Sequence, residues 1–269
     1  MLITNEVIES FLHCQYKSFL KCCGNAGEKT DFEILQEQIK DHLLSNLSEI
    51  MVSKQKTLIT PHSPINSILL GQKFDCVFKS QVTLDGVQLN IDLLERISNQ
   101  PDHHKLSFVP AWLFPNENIS KRERMIITCF GILLKDIHEI DPEFGKIFYG
   151  KRLQSITLKY DDLLEEAQNI LGRIHSNLTP KFYLNKHCSV CEFNKSCREL
   201  AEQQDHLSML GGITPKEIKR FNNKGIFTVK QLSYTFRPRR NRKKRIIYTK
   251  PHSFELQALA IREKKNLCL

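Results

Sequence analysis

The sequence predicts an α/β protein of the α+β kind, a mixed sheet flanked by helices and followed by a small helical subdomain. Three observations carry this. Apolar residues recur at helical spacing over roughly the first fifty positions. The period becomes twofold from about Leu69, and Asp85-Gly86 then supplies a hairpin turn between two alternating runs.

The elements follow in order. Val7, Ile8, Phe11, Leu12, Phe19 and Leu20 predict one helix over 5–20 that contains Cys14, with Gly24 and Gly27 ending it. Asp31 can cap a second helix whose buried stripe is Phe32, Leu35, Ile39, Leu43 and Leu47. Phe74, Cys76 and Phe78 alternate on a first strand, and Val87 to Glu95 returns after the turn. On that return strand Leu89, Ile91 and Leu93 share one face, which turns Asn90, Asp92 and Leu94 to the other. A loop with His103 and His104 leads to a third strand over Leu106 to Phe114. Ser120 starts a helix through Met125, Ile126, Phe130, Leu133 and Leu134, and Ser155 to Leu158 reads as a short strand. Asp161 or Asp162 caps a helix through Leu164, Ile170, Leu171 and Ile174. Residues 207–234 read as two short helices broken by Gly211, Gly212 and Gly225. A basic run follows Pro238, and Ser253 to Leu269 offers a short apolar patch.

Composition narrows the function. The 269 residues are 41% hydrophobic and 26% charged, as in a globular protein, and no apolar run of about 18 residues could span a bilayer, so no membrane partner is expected. The opening MLITNEVIES lacks the basic start and apolar middle of a secretory signal, which makes the cytoplasm the expected location. Thiols stay reduced there, so nine cysteines exceed a packing role and those that cluster point to metal. The net charge of +9 favours a polyanionic partner such as nucleic acid. Arg237, Arg239, Arg240, Arg242, Lys243, Lys244 and Arg245 crowd into one stretch that could neutralise several phosphates.

Cys188-Ser-Val-Cys191 brings two sulfurs to one centre through a tight turn, and Cys197 returns a third. Zinc and a cubane iron-sulfur cluster both want four ligands and both accept thiolates. His187 would strain to reach the centre of its neighbour Cys188, whereas Cys14 can arrive from elsewhere in the fold. Cys22 and Cys23 read as incidental, Cys76 and Cys129 as core, and Cys268 is uninformative.

A cysteine in an N-terminal helix matched by C-x2-C-x5-C far downstream resembles the iron-sulfur staple of RecB-like nucleases, including the CRISPR-associated adaptation nucleases and the AddB helicase-nucleases. His13-Cys14-Gln15-Tyr16-Lys17, Leu89 to Arg96, His187 to Cys197 and Phe236-Arg237-Pro238-Arg239-Arg240 together resemble a bacterial group of such proteins over nearly the whole chain. The resemblance implies a restriction-endonuclease-like PD-(D/E)XK domain over 1–200, closed by a four-iron four-sulfur (4Fe-4S) cluster on Cys14, Cys188, Cys191 and Cys197, with zinc as the alternative. A helix-hairpin-helix-like subdomain over 201–236 and a basic tail over 237–269 complete it. Members often continue into a ribonuclease H-like domain, so a ribonuclease H-like or helicase partner is expected.

Such hydrolases hold Mg2+ or Mn2+ on carboxylates and position water with a lysine. The resemblance puts Asp92 at the first metal-binding carboxylate. The family's following carboxylate-x-lysine is missing, because Pro110-Ala111-Trp112-Leu113-Phe114 stands where it belongs. Glu95 is the remaining catalytic candidate nearby, while Glu33, Glu37 or His42 could supply the helix-borne ligand. Ile126 and Phe130 replace the family's glutamine and tyrosine that approach DNA. The expectation is a nucleic-acid-handling protein, with DNA as partner and hydrolysis weak or lost.

Overall fold

The computed structural model describes residues 2–61, 74–84, 86–96, 108–135, 144–237 and 253–264. The chain divides into two compact units, Met1–Pro180 and Lys181–Leu269. The division falls after Pro180 rather than after residue 200. The helix over Asn194–Gln203 packs on the turn at Leu207–Met209, so the cysteine segment goes with the later residues.

In the first unit, β1 (Ile3–Thr4) runs into α1 (Asn5–His13), whose first turn is capped by the Thr4 hydroxyl accepting from the Val7 N–H. The single helix expected over 5–20 is two helices, because Cys14 adopts an extended backbone (φ −160°, ψ 113°) and α2 (Gln15–Cys22) restarts after it. Cys14 therefore sits at a break and not inside a helix. The Ser18 hydroxyl donates to Val7 O at 2.8 Å and ties the two pieces together.

Helix α3 (Asp31–Ser53) is capped by Thr30, not Asp31, through a reciprocal box with Glu33. Its buried stripe is Leu43, Leu44, Leu47 and Met51, whereas Phe32 and Leu35 are exposed. The fully buried face thus starts at Leu43, about three turns after the expected start at Phe32.

The sheet runs β2 (Leu58–Ile59), β3 (Cys76–Leu84), β4 (Val87–Arg96), β5 (Phe108–Phe114), β6 (Phe144–Tyr149), β7 (Gln154–Lys159), with β1 added in parallel to the start of β4. The β2–β3 and β5–β6 pairs are parallel and the others antiparallel, so the sheet is mixed. Helix α4 (Lys121–Leu134) makes the parallel crossover between β5 and β6, as a parallel pair requires. Beyond β7 a 3-10 turn at Asp161–Leu163 precedes α5 (Leu164–His175), so neither Asp161 nor Asp162 is its cap. The expected loop histidines, His103 and His104, lie outside the described residues.

Helices cover both faces of this sheet. One core joins Ile8, Trp112, Phe130, Tyr160 and Ile174 under α1, α4 and α5. The other joins Leu93, Ala111, Leu113 and Phe148 with the buried stripe of α3. The strict alternation expected along β4 fails, since Leu89, Ile91 and Leu94 enter the first core and Leu93 the second. The cause lies opposite. The pairs Phe78–Leu93 and Ser80–Ile91 bracket Lys79 and Asp92, and Lys79 is in the left-handed region at φ 48°, so both strands switch faces there. Asp92 occupies the switch point.

The second unit is helical among its described residues. A 3-10 turn at Lys186–Val190 carries Cys188, Cys191 follows it in extended backbone and α6 (Asn194–Gln203) carries Cys197, while α7 (Pro215–Asn222), α8 (Val229–Ser233) and α9 (Phe254–Arg262) close the rest. Leu207, Leu210, Ile218, Phe221, Val229, Leu232 and Ala258 form its core. Thr214 and Thr228 cap α7 and α8 with complete capping boxes, and Gly225 turns the chain between them at φ 78°. The tail patch is α9, which packs against α8.

Candidate functional site

Asp92 is 9% exposed and is held from two sides. Its Oδ2 accepts from the Leu113 N–H of β5 at 2.8 Å and meets the Lys40 ammonium of α3 at 2.9 Å. Lys40 lies one helical turn before Leu43 and Leu44, so burying that stripe aims it at the sheet. Glu9 of α1 is the third member. The Asn5 side chain brackets Asn90 of β4, accepting from its N–H at 2.7 Å and donating to its O at 2.9 Å. Glu9 lies four residues further along α1, near enough for the charges of Asp92 and Lys40 to act on it.

The electrostatics express this proximity. Burial pushes the Glu9 carboxyl above its ordinary value, Lys40 opposes that rise, and the charges of Asp92 and Glu6 add to it. Burial works against the Lys40 ammonium, but Asp92 and Glu9 outweigh it and hold its pKa above the ordinary value. Lys40 thus pairs with Asp92, and its charge also acts on Glu9. A divalent ion binding to Asp92 Oδ2 would have to displace Lys40.

No second carboxylate or catalytic lysine comes from β5. Ala111 and Leu113 face the α3 core and are 0% and 1% exposed, while Trp112 packs on Phe130 in the other core and donates through Nε1 to Asn90 O at 3.1 Å. Glu95, three residues along β4, is engaged elsewhere, paired with Lys56 and with Lys146 at 3.1 Å. Burial alone would raise its carboxyl, but those two ammonium partners pull it below the ordinary value. Glu33 completes the α3 cap and pairs with Lys17, Glu37 pairs with Lys29, and His42 contacts Asn46. The helix-borne carboxylate beside Asp92 is Glu9, which sequence reasoning missed together with Lys40. Its signal was a lone acid between Ile8 and the apolar Phe11-Leu12 pair.

Cys14 belongs to the first unit, and Cys188, Cys191 and Cys197 belong to the second. Cys191 is buried and the other three are half-buried. Among the described residues no three His, Cys, Asp or Glu side chains are grouped as metal ligands. Two local features nonetheless suit thiolate ligation. The Asn185 N–H donates to Cys188 Sγ at 3.2 Å, and the sulfur lies 3.7 Å from Asn185 Oδ1, so Asn185 fixes the position of that sulfur. The Asn194 amide fastens to Cys188 O, and Cys197 opens α6 with its N–H on Phe193 O at 3.0 Å, so the turn holding the three cysteines is cross-braced. Cys76 and Cys129 differ: burial pushes their thiols up to about 11 and about 12, which suits neutral core residues.

Charge is divided sharply between the units. Met1–Pro180 holds 19 Lys and Arg against 23 Asp and Glu, a net −4, whereas Lys181–Leu269 holds 20 against 7, a net +13. Arg237 is exposed, and Arg239, Arg240, Arg242, Lys243, Lys244 and Arg245 lie outside the described residues. The whole basic excess of the chain is in the second unit.

No protein-family model and no curated protein matches this sequence. A solved structure titled "Crystal structure of SSO0001" is similar at 14% identity and TM-score 0.34, over 74% of this chain and 86% of that one. Among the described residues no helix is long and apolar enough to cross a membrane.

Proposed function

We propose that this protein is a RecB-like nuclease homologue that binds nucleic acid, with DNA as its substrate class, and has given up phosphodiester hydrolysis. The observation that carries the reading is Lys40, a tethered cation whose ammonium pairs with the Asp92 carboxylate and whose charge acts on Glu9, where a catalytic Mg2+ or Mn2+ would be needed. The apolar β5 adds support, since it brings neither a further ligand nor a lysine for water. Binding is assigned to the second unit because its net charge is +13. The first unit, at −4, would repel a polyanion.

Within this reading Cys14, Cys188, Cys191 and Cys197 hold a 4Fe-4S cluster that joins the two ends of the nuclease-like region, with zinc as the alternative occupant. Such a cluster would serve as a structural tie. A helicase or a ribonuclease H-like protein is the proposed partner, and the cytoplasm the proposed location.

Titrating anaerobically purified protein with a labelled single strand tests both parts. Affinity should fall at least about a hundredfold between roughly 50 and 200 mM salt. Replacing Arg239, Arg240, Lys243 and Lys244 by alanine should weaken binding and flatten the log-log salt slope by about 3, if each meets one phosphate. An unchanged slope would remove the basic run from the binding surface. The same sample should show broad absorbance near about 400 nm, and a colourless protein carrying zinc would replace the cluster with the metal ion.

A further inference from the structure

The second unit leaves two aromatic rings in solvent at either end of α8. Phe227 is 56% exposed and Tyr234 is 67% exposed. Phe227 immediately precedes the cap residue Thr228, a position from which an apolar side chain usually packs down on the fourth helical residue, here Leu232. Leu232 is fully buried in the core without it, and more than half of the Phe227 surface remains in water. The backbone at Phe227 is nevertheless fixed, its N–H donating to Gln231 Oε1 at 2.7 Å. Tyr234 is fixed from the other end, with the Arg262 guanidinium 4.7 Å from its ring centroid and donating to Ser233 Oγ at 3.1 Å. Gln231, exposed on the same short helix, bridges the two ring positions, because its backbone carbonyl accepts from the Tyr234 N–H at 3.3 Å. Lys230 and Arg237 stand exposed beside them.

We propose that this edge of α8 is a stacking platform for single-stranded nucleic acid, with Phe227 and Tyr234 taking bases on their faces and Lys230 and Arg237 neutralising the backbone. Charge selects the occupant. On a unit of net charge +13, exposed rings flanked by cations suit a polyanion that carries π-faces. A duplex keeps its base faces stacked inside and cannot use the rings, so the platform separates single from double strands. The inference rests on the nucleic-acid reading above and adds the strandedness of the ligand.

The test compares full-length protein with labelled oligothymidylate and with a duplex of equal length. Phe227→Ala and Tyr234→Ala should each weaken single-strand affinity roughly tenfold, leaving duplex affinity and the salt slope unchanged. Tyr234→Phe should retain affinity, since the ring does the stacking. Alanine variants that bind the single strand like the parent protein, or that lose single strand and duplex equally, would overturn the platform while leaving the nucleic-acid reading in place. A parent protein that binds neither ligand would overturn both.

Discussion

Replacing Lys40 by methionine should destabilise the protein by about 2 kcal/mol at neutral pH, and the loss should shrink as the solution is acidified. Methionine keeps most of the stem that crosses from α3 to the sheet and removes only the charge. Asp92 then keeps its Leu113 N–H but loses its ion-pair partner, and Glu9 loses the strongest charge that opposes its rise. Breaking a buried pair from one side commonly costs about 3 to 5 kcal/mol; the smaller figure here allows for the 37% exposure of the Lys40 side chain.

The pH dependence follows from Glu9. Its carboxyl is already raised in the folded protein, and Lys40 is the largest influence holding it down, so the variant raises it further. A carboxyl with a folded pKa above its unfolded value contributes stability that is fully present below the unfolded value and is lost as pH rises through the folded one. The gap between parent and variant should therefore be widest near neutrality and narrow toward the ordinary glutamate range. Lys40→Met combined with Asp92→Asn should recover much of the loss, because both charges are then gone. Urea denaturation between about pH 4.5 and pH 7.5 measures this. A pH-independent gap, or a double variant as weak as the single one, would mean that Lys40 acts by packing alone.

Gly131→Ala should cost roughly 2 to 3 kcal/mol, although an alanine within a helix ordinarily gains about 1 kcal/mol over glycine. Gly131 lies in α4 against the ring of Tyr160, and an added Cβ would stand closer than 3.0 Å to three of its ring carbons. Tyr160 is 2% exposed and has nowhere to retreat. Gly145 on β6 meets the same residue differently: its Cβ would crowd the hydroxyl oxygen first, with Ile127 Cγ2 at 3.0 Å and the ring carbon at 3.2 Å behind it, distances that small shifts can relieve. Tyr160→Phe should therefore rescue Gly145→Ala and leave Gly131→Ala as damaging as before. The rescue itself is cheap, since among the described residues the Tyr160 hydroxyl makes no hydrogen bond. Equal behaviour of the two glycine variants in the phenylalanine background would show that the helix and the strand yield rather than the tyrosine.

The layers of the fold could be read from periodicity, because the β3–β4 hairpin and the buried turn of α3 are local patterns. What escaped depends on distant pairings. The parallel contact of Ile3 with Val87 places α1 beside β4, and nothing in the first ten residues announces a partner eighty positions on. The left-handed Lys79 has no sequence signature, since lysine rarely takes that backbone, so the strand appeared to alternate straight through Asp92. Asp92 was read as a metal-binding carboxylate, and its neighbours Lys40 and Glu9 were not read at all. Lys40 looked like an ordinary helix-surface charge, and Glu9 was passed over for Glu33, Glu37 and His42, which contact other residues of the first unit.

The most direct test of the account is a cleavage assay on labelled single-stranded DNA with Mg2+ and with Mn2+, read beside binding in the same tubes. The expected result is DNA that is bound at low salt and remains full length in either metal, for the parent protein and for Asp92→Ala alike. Metal-dependent fragments from the parent protein that vanish in Asp92→Ala would contradict it, and would mean that Lys40 yields its place to a metal ion after all.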